Sequence, residues 1–271
     1  KFKFHSKIIV IKYGGAAMSR SDLKLGFAKD VALMQLVGLR PIIIHGGGPQ
    51  IGIELAKKNL KSKFIMGQRV TDKDTLSTVI KVLSKDINSE IVSLINSFVA
   101  KSKGLLGNKN NLIKASKFTP IENGETIDLG FVGKVTSFNK EKIKSLLLKN
   151  IIPVIAPLGS DKYKQTYNIN ADLVASKVAS GLKAEKLILL TDVNGISDKN
   201  KQLIPKLNIN EAKKILTKNF ITGGMKPKLS SAIEALTSGI KTAHIIDGRV
   251  PHAVLLEVLT DDGVGTILEE K

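Results

Sequence analysis

The stretch from Pro41 to Pro49, P-I-I-I-H-G-G-G-P, constrains the fold more than any other part of the chain. A β-branched apolar run stops at three consecutive glycines. Ile42, Ile43 and Ile44 read as a strand buried on both faces, the setting of a parallel sheet covered by helices. Gly46, Gly47 and Gly48 let the backbone approach a ligand, because no Cβ intervenes and positive φ is open to them. A helix is expected from Gln50 to Leu60, and a helix N-terminus attracts anions. Together these make a phosphate or carboxylate site, or a tight strand-to-helix turn with no ligand. The loop matches neither common phosphate motif: Gln50 and Ile51 stand where a Walker A needs Lys, and Ile51 where G-x-G-x-x-G needs its third Gly.

With 271 residues and 42% hydrophobic content, the chain can bury one large α/β domain or two lobes. It has no apolar run of the roughly 18 residues that a membrane span requires. Ile8 to Ile11 is too short for a signal-peptide core and ends at Lys12. The chain opens on Lys, which fits removal of a leader. Without cysteine there is no disulfide and no thiolate metal site, as suits a reducing compartment. The net charge of +18 raises a nucleic-acid reading. The arginines are Arg20, Arg40, Arg69 and Arg249; the remaining cations are lysines spread over the whole length, and aromatic residues are 4%. Arg forks and interleaved aromatics are what nucleic-acid recognition uses. No nucleic-acid partner is expected, although so positive a field draws in anionic substrates.

Ile8 to Ile11 reads as the first strand, with Lys12-Tyr13-Gly14-Gly15 at its end, where open α/β sheets bind ligands. Lys12 is either a site residue or a surface lysine at a turn. Asp22 to Val37 reads as an amphipathic helix with Leu25, Val31, Leu33, Leu36 and Val37 on its inner face. Thr71 or Asp72 is the expected N-cap of a long helix from Asp74 to Lys101. Arg69, an arginine in a chain that otherwise uses lysine, is either a carboxylate fork or exposed. Leu112 to Phe138, broken at Asn110-Asn111, Asn123-Gly124 and Gly130, reads as a hairpin or flap over one end of the sheet. Lys140 to Lys149 reads as a helix and Ile151 to Pro157 as a buried strand. Asn168, Asn170 and Asp172 precede or open a helix through Ser180, and one of them is expected to cap it. Leu187 to Leu190 is a buried strand ending at Thr191-Asp192-Val193-Asn194-Gly195. Asn208 to Lys218 reads as a helix. Gly223-Gly224 leads into another, with Pro227 suited to its first position and Lys228 set against the helix dipole, as an anionic ligand would explain. Thr242 to Ile246 and Val264 to Leu268 complete six strands. The alternation of helices and strands gives the α/β class with a mainly parallel sheet.

Six ordered stretches resemble one known group. They are K-Y-G-G-A-A-M from Lys12, I-I-H-G-G-G-P from Ile43, G-Q-R-V-T-D from Gly67, N-I-N-A-D from Asn168, L-L-T-D-V-N-G from Leu189 and G-G-M-K-P-K from Gly223. In this order they are similar to the N-acetylglutamate kinases of the amino acid kinase family, over Ile8 to Leu268. The resemblance implies a three-layer αβα sandwich around a mainly parallel central sheet, formed by a single domain, 1–271. Residues 1–167 would bind acetylglutamate and form the dimer, and residues 168–271 would bind ATP. The implied reaction moves the γ-phosphoryl group of ATP, brought in with Mg²⁺, onto the side-chain carboxylate of N-acetyl-L-glutamate.

By the family pattern Lys12 and Lys228 neutralise the transferring group from opposite lobes, with Asp172 holding both lysines. Gly15, Gly47 and Gly48 donate backbone N–H groups, and Arg69 and Asn168 grip the acetylglutamate. Thr191, Asp192, Gly195 and Ile196, with Thr222, Gly223 and Met225, match the nucleotide loops. No protein ligand to a metal is expected. Gln68 departs from the leucine of many members. The run from Ile245 to Leu268 resembles arginine-inhibited, hexameric members, in which the positions of His252, Glu257 and Gly265 lie at or near the arginine site. Those members carry a helix ahead of the first strand. Only seven residues precede Ile8 here, so a homodimer is the expectation and a trimer of dimers the alternative. K-Y-G-G-A-A-M and H-I-I-D-G-R also resemble enzymes of oxygenic phototrophs, in which a PII signalling protein relieves arginine inhibition. The implied location is the plastid stroma or the bacterial cytoplasm. The rival readings are a sister kinase for an aminoadipate derivative, glutamate or aspartate, and a non-catalytic arginine-sensing module.

Overall fold

The computed structural model describes residues 5–122, 124–260 and 263–270. Lys1 to Phe4, Asn123 of the expected Asn123-Gly124 turn, and Asp261 and Asp262 of the C-terminal run lie outside them. β1 (Ile8–Tyr13) leads through a 3₁₀ turn into α1 (Ser21–Leu36), and β2 (Arg40–His45) into α2 (Gly48–Lys57). The hairpin β3 (Phe64–Ile65) and β4 (Gln68–Arg69) precedes α3 (Lys73–Lys81), which runs through a π-turn at Val82–Ile87 into α4 (Asn88–Asn96). There follow β5 (Ser102–Leu106), β6 (Ile113–Lys117), β7 (Ile121–Glu122), β8 (Glu125–Thr126), β9 (Gly133–Phe138) and α5 (Lys140–Leu148). β10 (Ile152–Ala156), β11 (Leu158–Ser160) and β12 (Thr166–Asn168) lead to α6 (Ala171–Leu182) and β13 (Lys186–Thr191). The chain closes with β14 (Lys206–Asn208), α7 (Ile209–Leu216), α8 (Met225–Thr237), β15 (Thr242–Asp247), α9 (Ala253–Leu259) and β16 (Gly265–Glu269).

Eight strands form the central sheet in the order β14-β16-β15-β13-β1-β2-β10-β5. Every neighbouring pair is parallel except β15 and β16. β1 is the seam. Strands from the first part of the chain lie on its β2 side and strands from Lys186 onward on its β13 side.

The two faces of each strand serve two separate cores, because successive side chains point to opposite sides. Val10, Ile42, Ile44, Leu187 and Leu189 pack with residues of α5, α6, α7 and α8. Ile9, Ile11, Ile43, Ile188 and Leu190 pack with residues of α1, α2, α3, α4 and α9. These residues are almost wholly excluded from water, and fully burying each such side chain contributes about 1.5–3 kcal/mol of transfer free energy. The layers are helix, sheet, helix, as the α/β reading expects.

Several local expectations change. Leu25, Leu33 and Leu36 are exposed; the inner face of α1 is Phe27, Ala28, Asp30, Val31, Ala32 and Met34. The helix expected to reach Lys101 ends at Asn96, and the edge strand β5 follows it. The flap is half of a four-stranded sheet, β12-β11-β6-β9. Pro227 is the third residue of α8, not its first. Asp72 caps α3 by accepting from Thr75 N at 2.8 Å, and Asn170 caps α6 by accepting from Asp172 N at 2.8 Å. No helix among the described residues is long and apolar enough to cross a membrane.

Candidate functional site

Strand alternation sets the site. Lys12 shares a face of β1 with Val10, the face that α6 covers, so its side chain runs toward the start of α6, where Asp172 stands. Lys12 Nζ lies 3.5 Å from Asp172 Oδ1. From the β13 side of the seam, Lys228 in the first turn of α8 places Nζ 3.2 Å from Asp172 Oδ2 and 3.4 Å from Oδ1. Lys12 is 7% and Asp172 4% exposed, so Lys12 is no surface lysine at a turn. Burial pulls the Lys12 ammonium down to about 8, and the like charge of Lys228 adds to that, while Asp172 opposes it. Burial also works against the Asp172 carboxylate, but the two ammonium groups prevail and hold it below its usual range. Two cations share one buried anion, which leaves net positive charge for an incoming anion.

The glycine loops form the floor. Lys12 crosses Gly14 and Gly46: a Cβ at Gly14 would stand 3.0 Å from Lys12 Nζ, and one at Gly46 3.7 Å from Lys12 Cε. None of the three loop glycines has a left-handed φ, and close approach requires glycine only at Gly47. A Cβ at Gly47 would meet Ile87 Cδ1 at 2.7 Å and Leu83 Cδ2 at 2.8 Å. Gly48 faces open space. The Gly46 N–H is taken by Tyr13 O at 2.7 Å, whereas the Gly47 and Gly48 amides have no partner among the described residues. α2 and α8 both start without a capping side chain, unlike α3, α5, α6 and α7. Unsatisfied first-turn amides suit an anion.

Arg69 is buried, not exposed. It donates to Gly48 O at 2.9 Å and to Ser62 Oγ, and its guanidinium sits 4.6 Å from the centre of the Phe64 ring. Thr71 Oγ1 donates to Arg69 O at 2.7 Å and accepts from Asn168 Nδ2 at 3.2 Å. Gly48, Arg69, Thr71 and Asn168 thus make one connected wall. Thr71 was not singled out from the sequence as a site residue; its place in G-Q-R-V-T-D, two residues from Arg69, was the available signal. Gly67, at the turn between β3 and β4, lies beside Gly223 of the loop into α8 and Pro227 of its first turn, which brings the two halves of the chain together.

Thr191 ends β13 at the same edge of the sheet as Gly14 and Gly46, because β13, β1 and β2 are parallel. Asp192 is exposed beside it. Gly195 has φ +142°, and a Cβ there would lie 2.7 Å from both Leu203 Cδ1 and Thr266 Oγ1. Ile196 is fully buried with its amide donating to Thr266 Oγ1 at 2.8 Å, so it anchors the loop and its side chain is not available to a nucleotide. Thr222, Gly223 and Met225 form the entry to α8. His252 has φ +59° and donates from Nδ1 to Asp30 Oδ1 at 2.6 Å. Glu257 is buried, paired with His244 Nδ1 at 2.5 Å and Val264 N at 2.7 Å. Gly265 begins β16, where a Cβ would stand 2.2 Å from Ile245 O. His252 thus ties the start of α9 to α1, while Glu257 and Gly265 belong to the packing of α9, β15 and β16.

The family model described as the amino acid kinase family matches residues 7–247. The chain is 49% identical to the acetylglutamate kinase of Marinobacter nauticus over 272 residues, covering 98% of this chain and 94% of that one. It superposes on the N-acetylglutamate synthase of Neisseria gonorrhoeae, complexed with coenzyme A and N-acetyl-glutamate, with a TM-score of 0.88 and 23% identity. That match covers 99% of this chain and 60% of the synthase. The carbamate kinase of Giardia lamblia bound to AMP-PNP matches with a TM-score of 0.70 and 16% identity over 98% of this chain and 99% of that one. The two structural likenesses bear on the fold.

Proposed function

The chain belongs to the amino acid kinase family, and we propose that it transfers the γ-phosphoryl group of ATP to the side-chain carboxylate of N-acetyl-L-glutamate. The product is the acyl phosphate, an intermediate of arginine biosynthesis. The observation that carries this reading is the pair of lysines, one on the seam strand β1 and one in α8, held on the single buried carboxylate of Asp172.

A glutamyl side chain has a pKa of about 4.3, so it is already a nucleophile at neutral pH and needs no general base. What remains is to hold two anions in line and to neutralise the charge that spreads over the transferring group. Lys12 and Lys228 supply that charge. The free amides of Gly47 and Gly48 add dipoles aimed at the same place, and the Gly15 amide is assigned the same task. Asp172 fixes the spacing of the two ammonium groups and takes no proton. Arg69 and Asn168 form the wall for the acetylglutamate. Thr191, Asp192, Gly195, Thr222, Gly223 and Met225 line the nucleotide side, with Ile196 in support. Mg²⁺ bound with ATP would supply Lewis-acid charge to the phosphates, and no side chain of this chain is assigned to hold it. In this division residues 1–167 hold the acetylated amino acid and the subunit contact and residues 168–271 the nucleotide, with Asn168 at the boundary reaching back to the acetylglutamate wall through Thr71.

The finer assignments rest on the resemblance of the C-terminal run and of the N-terminal glycine stretch. They are a homodimer or a trimer of dimers, feedback inhibition by L-arginine near His252, Glu257 and Gly265, contact with a PII signalling protein, and a plastid or bacterial cytoplasmic setting. Trapping the acyl phosphate with hydroxylamine tests the reaction. Wild type with MgATP and N-acetyl-L-glutamate gives hydroxamate, and Lys228→Ala gives almost none. Product from an aminoadipate derivative, glutamate or aspartate alone would overturn the substrate, and no product from any acid would overturn the kinase reading.

A further inference from the structure

His45 ends β2 and is fully buried. Alternation sets it on the face of Ile43, opposite to that of Lys12, so it lies behind the glycine loop and not in the site. There it meets Asn88, the first residue after the π-turn. The Asn88 amide group donates to Val154 O at 3.0 Å and faces His45 Nε2 at 3.1 Å. A donor at Nε2 makes that nitrogen the acceptor, so the ring proton is on Nδ1, which donates to Gly46 O at 3.0 Å. Burial keeps the ring neutral, its pKa pushed down to about 4.

The Gly46 carbonyl and the Gly47 N–H belong to one planar trans peptide and point in opposite directions. Tethering the carbonyl on the rear face aims the N–H at the front. Two further contacts make the arrangement rigid. Gly47 packs on Leu83 and Ile87 of the π-turn with no room for a Cβ, and Gly104 makes room for Asn88, whose Oδ1 would stand 2.1 Å from a Cβ there. π-turns interrupt helices at functional places, and this one delivers Asn88 to the imidazole.

We infer that His45 and Asn88 form a positioning pair, which orients the Gly46–Gly47 peptide so that its N–H faces the transferring phosphoryl group. The inference rests on the phosphoryl-transfer reading above. His45→Asn places an amide nitrogen where Nδ1 stands, and His45→Gln places one where Nε2 stands. Both remove the ring, and Gln fills more of its volume than Asn, so a role in packing alone would make H45N the worse of the two. The expected result is a kcat for H45N within about threefold of wild type and for H45Q about 10–100-fold lower, with both KM values little changed, the pattern of an interaction made in the transition state. Equal kcat for the two variants, or losses confined to KM, would overturn the inference.

A second measurement needs no variant. The ¹⁵N shifts of His45 in the wild-type protein at neutral pH should show the proton on Nδ1, and a proton on Nε2 would overturn the inference even if the enzyme is fully active. Wild type that yields no acyl phosphate would instead overturn the kinase reading, and the tautomer would still report on the pair.

Discussion

Lys228 Nζ lies 3.2 Å from Asp172 Oδ2 although the two residues are 56 apart in the chain. The same carboxylate holds Lys12 at its other oxygen. Asp172 is therefore the point at which β1, α6 and α8 are registered against one another. With one negative and two positive groups in a buried cluster, the site is complete only when an anion joins it.

Asp172→Asn tests this arrangement. The amide keeps the size of the side chain but leaves two ammonium groups facing each other without a counter-charge. Removing a preorganised electrostatic element typically costs about 10²–10³-fold in rate, and kcat is expected to fall by that order. Circular dichroism should show a folded protein, since α6 keeps its Asn170 cap. Full activity in the hydroxamate assay would remove Asp172 from the machinery.

The pH dependence follows from Lys12. Burial, reinforced by Lys228 and opposed by Asp172, brings its pKa from 10.5 to about 8. A depressed lysine pKa means that the ammonium is present below about pH 8 and is lost as pH rises through it. kcat/KM, which reports the free enzyme, should therefore decline above about pH 8. An anionic substrate in place favours the charged form, so kcat should decline later. Lys12→Arg stays charged at all these pH values and should lose the alkaline decline while working more slowly throughout. A decline at the same pH in that variant would assign it to another group.

Arg69→Lys separates binding from chemistry. The guanidinium contacts Gly48 O, Ser62 Oγ and the Phe64 ring together, and an ammonium has no planar fork with which to do so. The expected change is a rise of about tenfold or more in KM for N-acetyl-L-glutamate, with KM for ATP unchanged and kcat lowered less. A KM change confined to ATP would place Arg69 on the wrong side of the site.

The layers and the main strands were legible because short apolar runs such as Ile42 to Ile44 and Leu187 to Leu190, each followed by a glycine-containing turn, suit burial on both faces. The candidate site residues came from motif resemblance; that Lys12, Asp172 and Lys228 meet is what the structure adds, and strand parity accounts for the part of Lys12, which falls on the face of Val10. What stayed hidden is local and has local causes. β5 is short and carries Lys103 and Gly104, with the look of a loop, and it exists because β10 offers it an edge. The apolar residues Leu25, Leu33 and Leu36 suggested the inner face of α1, but packing chose the face of Phe27, Val31 and Met34. The roles of Thr71, His45 and Asn88 rest on contacts across 97 and 43 residues of chain, which no local pattern encodes.

Gly195 offers a last test, of the nucleotide loop. Its φ of +142° lies where a side chain is strained, and a Cβ would press on Leu203 Cδ1 and Thr266 Oγ1 at 2.7 Å and on the Thr266 backbone N at 3.0 Å. The backbone atom cannot swing aside, so the loop from Thr191 to Ile196 must move. Backbone strain and overpacking of this kind cost about 1–3 kcal/mol each. Gly195→Ala should lower the denaturant midpoint accordingly and raise KM for ATP more than KM for N-acetyl-L-glutamate. Gly26→Ala is the control, because its Cβ would meet nothing within 4 Å inside α1. There the gain in helix propensity should stabilise the protein by about 0.5–1 kcal/mol. If Gly195→Ala is as stable as wild type and binds ATP as well, the loop does not depend on that glycine, and the assignment of Thr191 to Ile196 to the nucleotide loses its structural support.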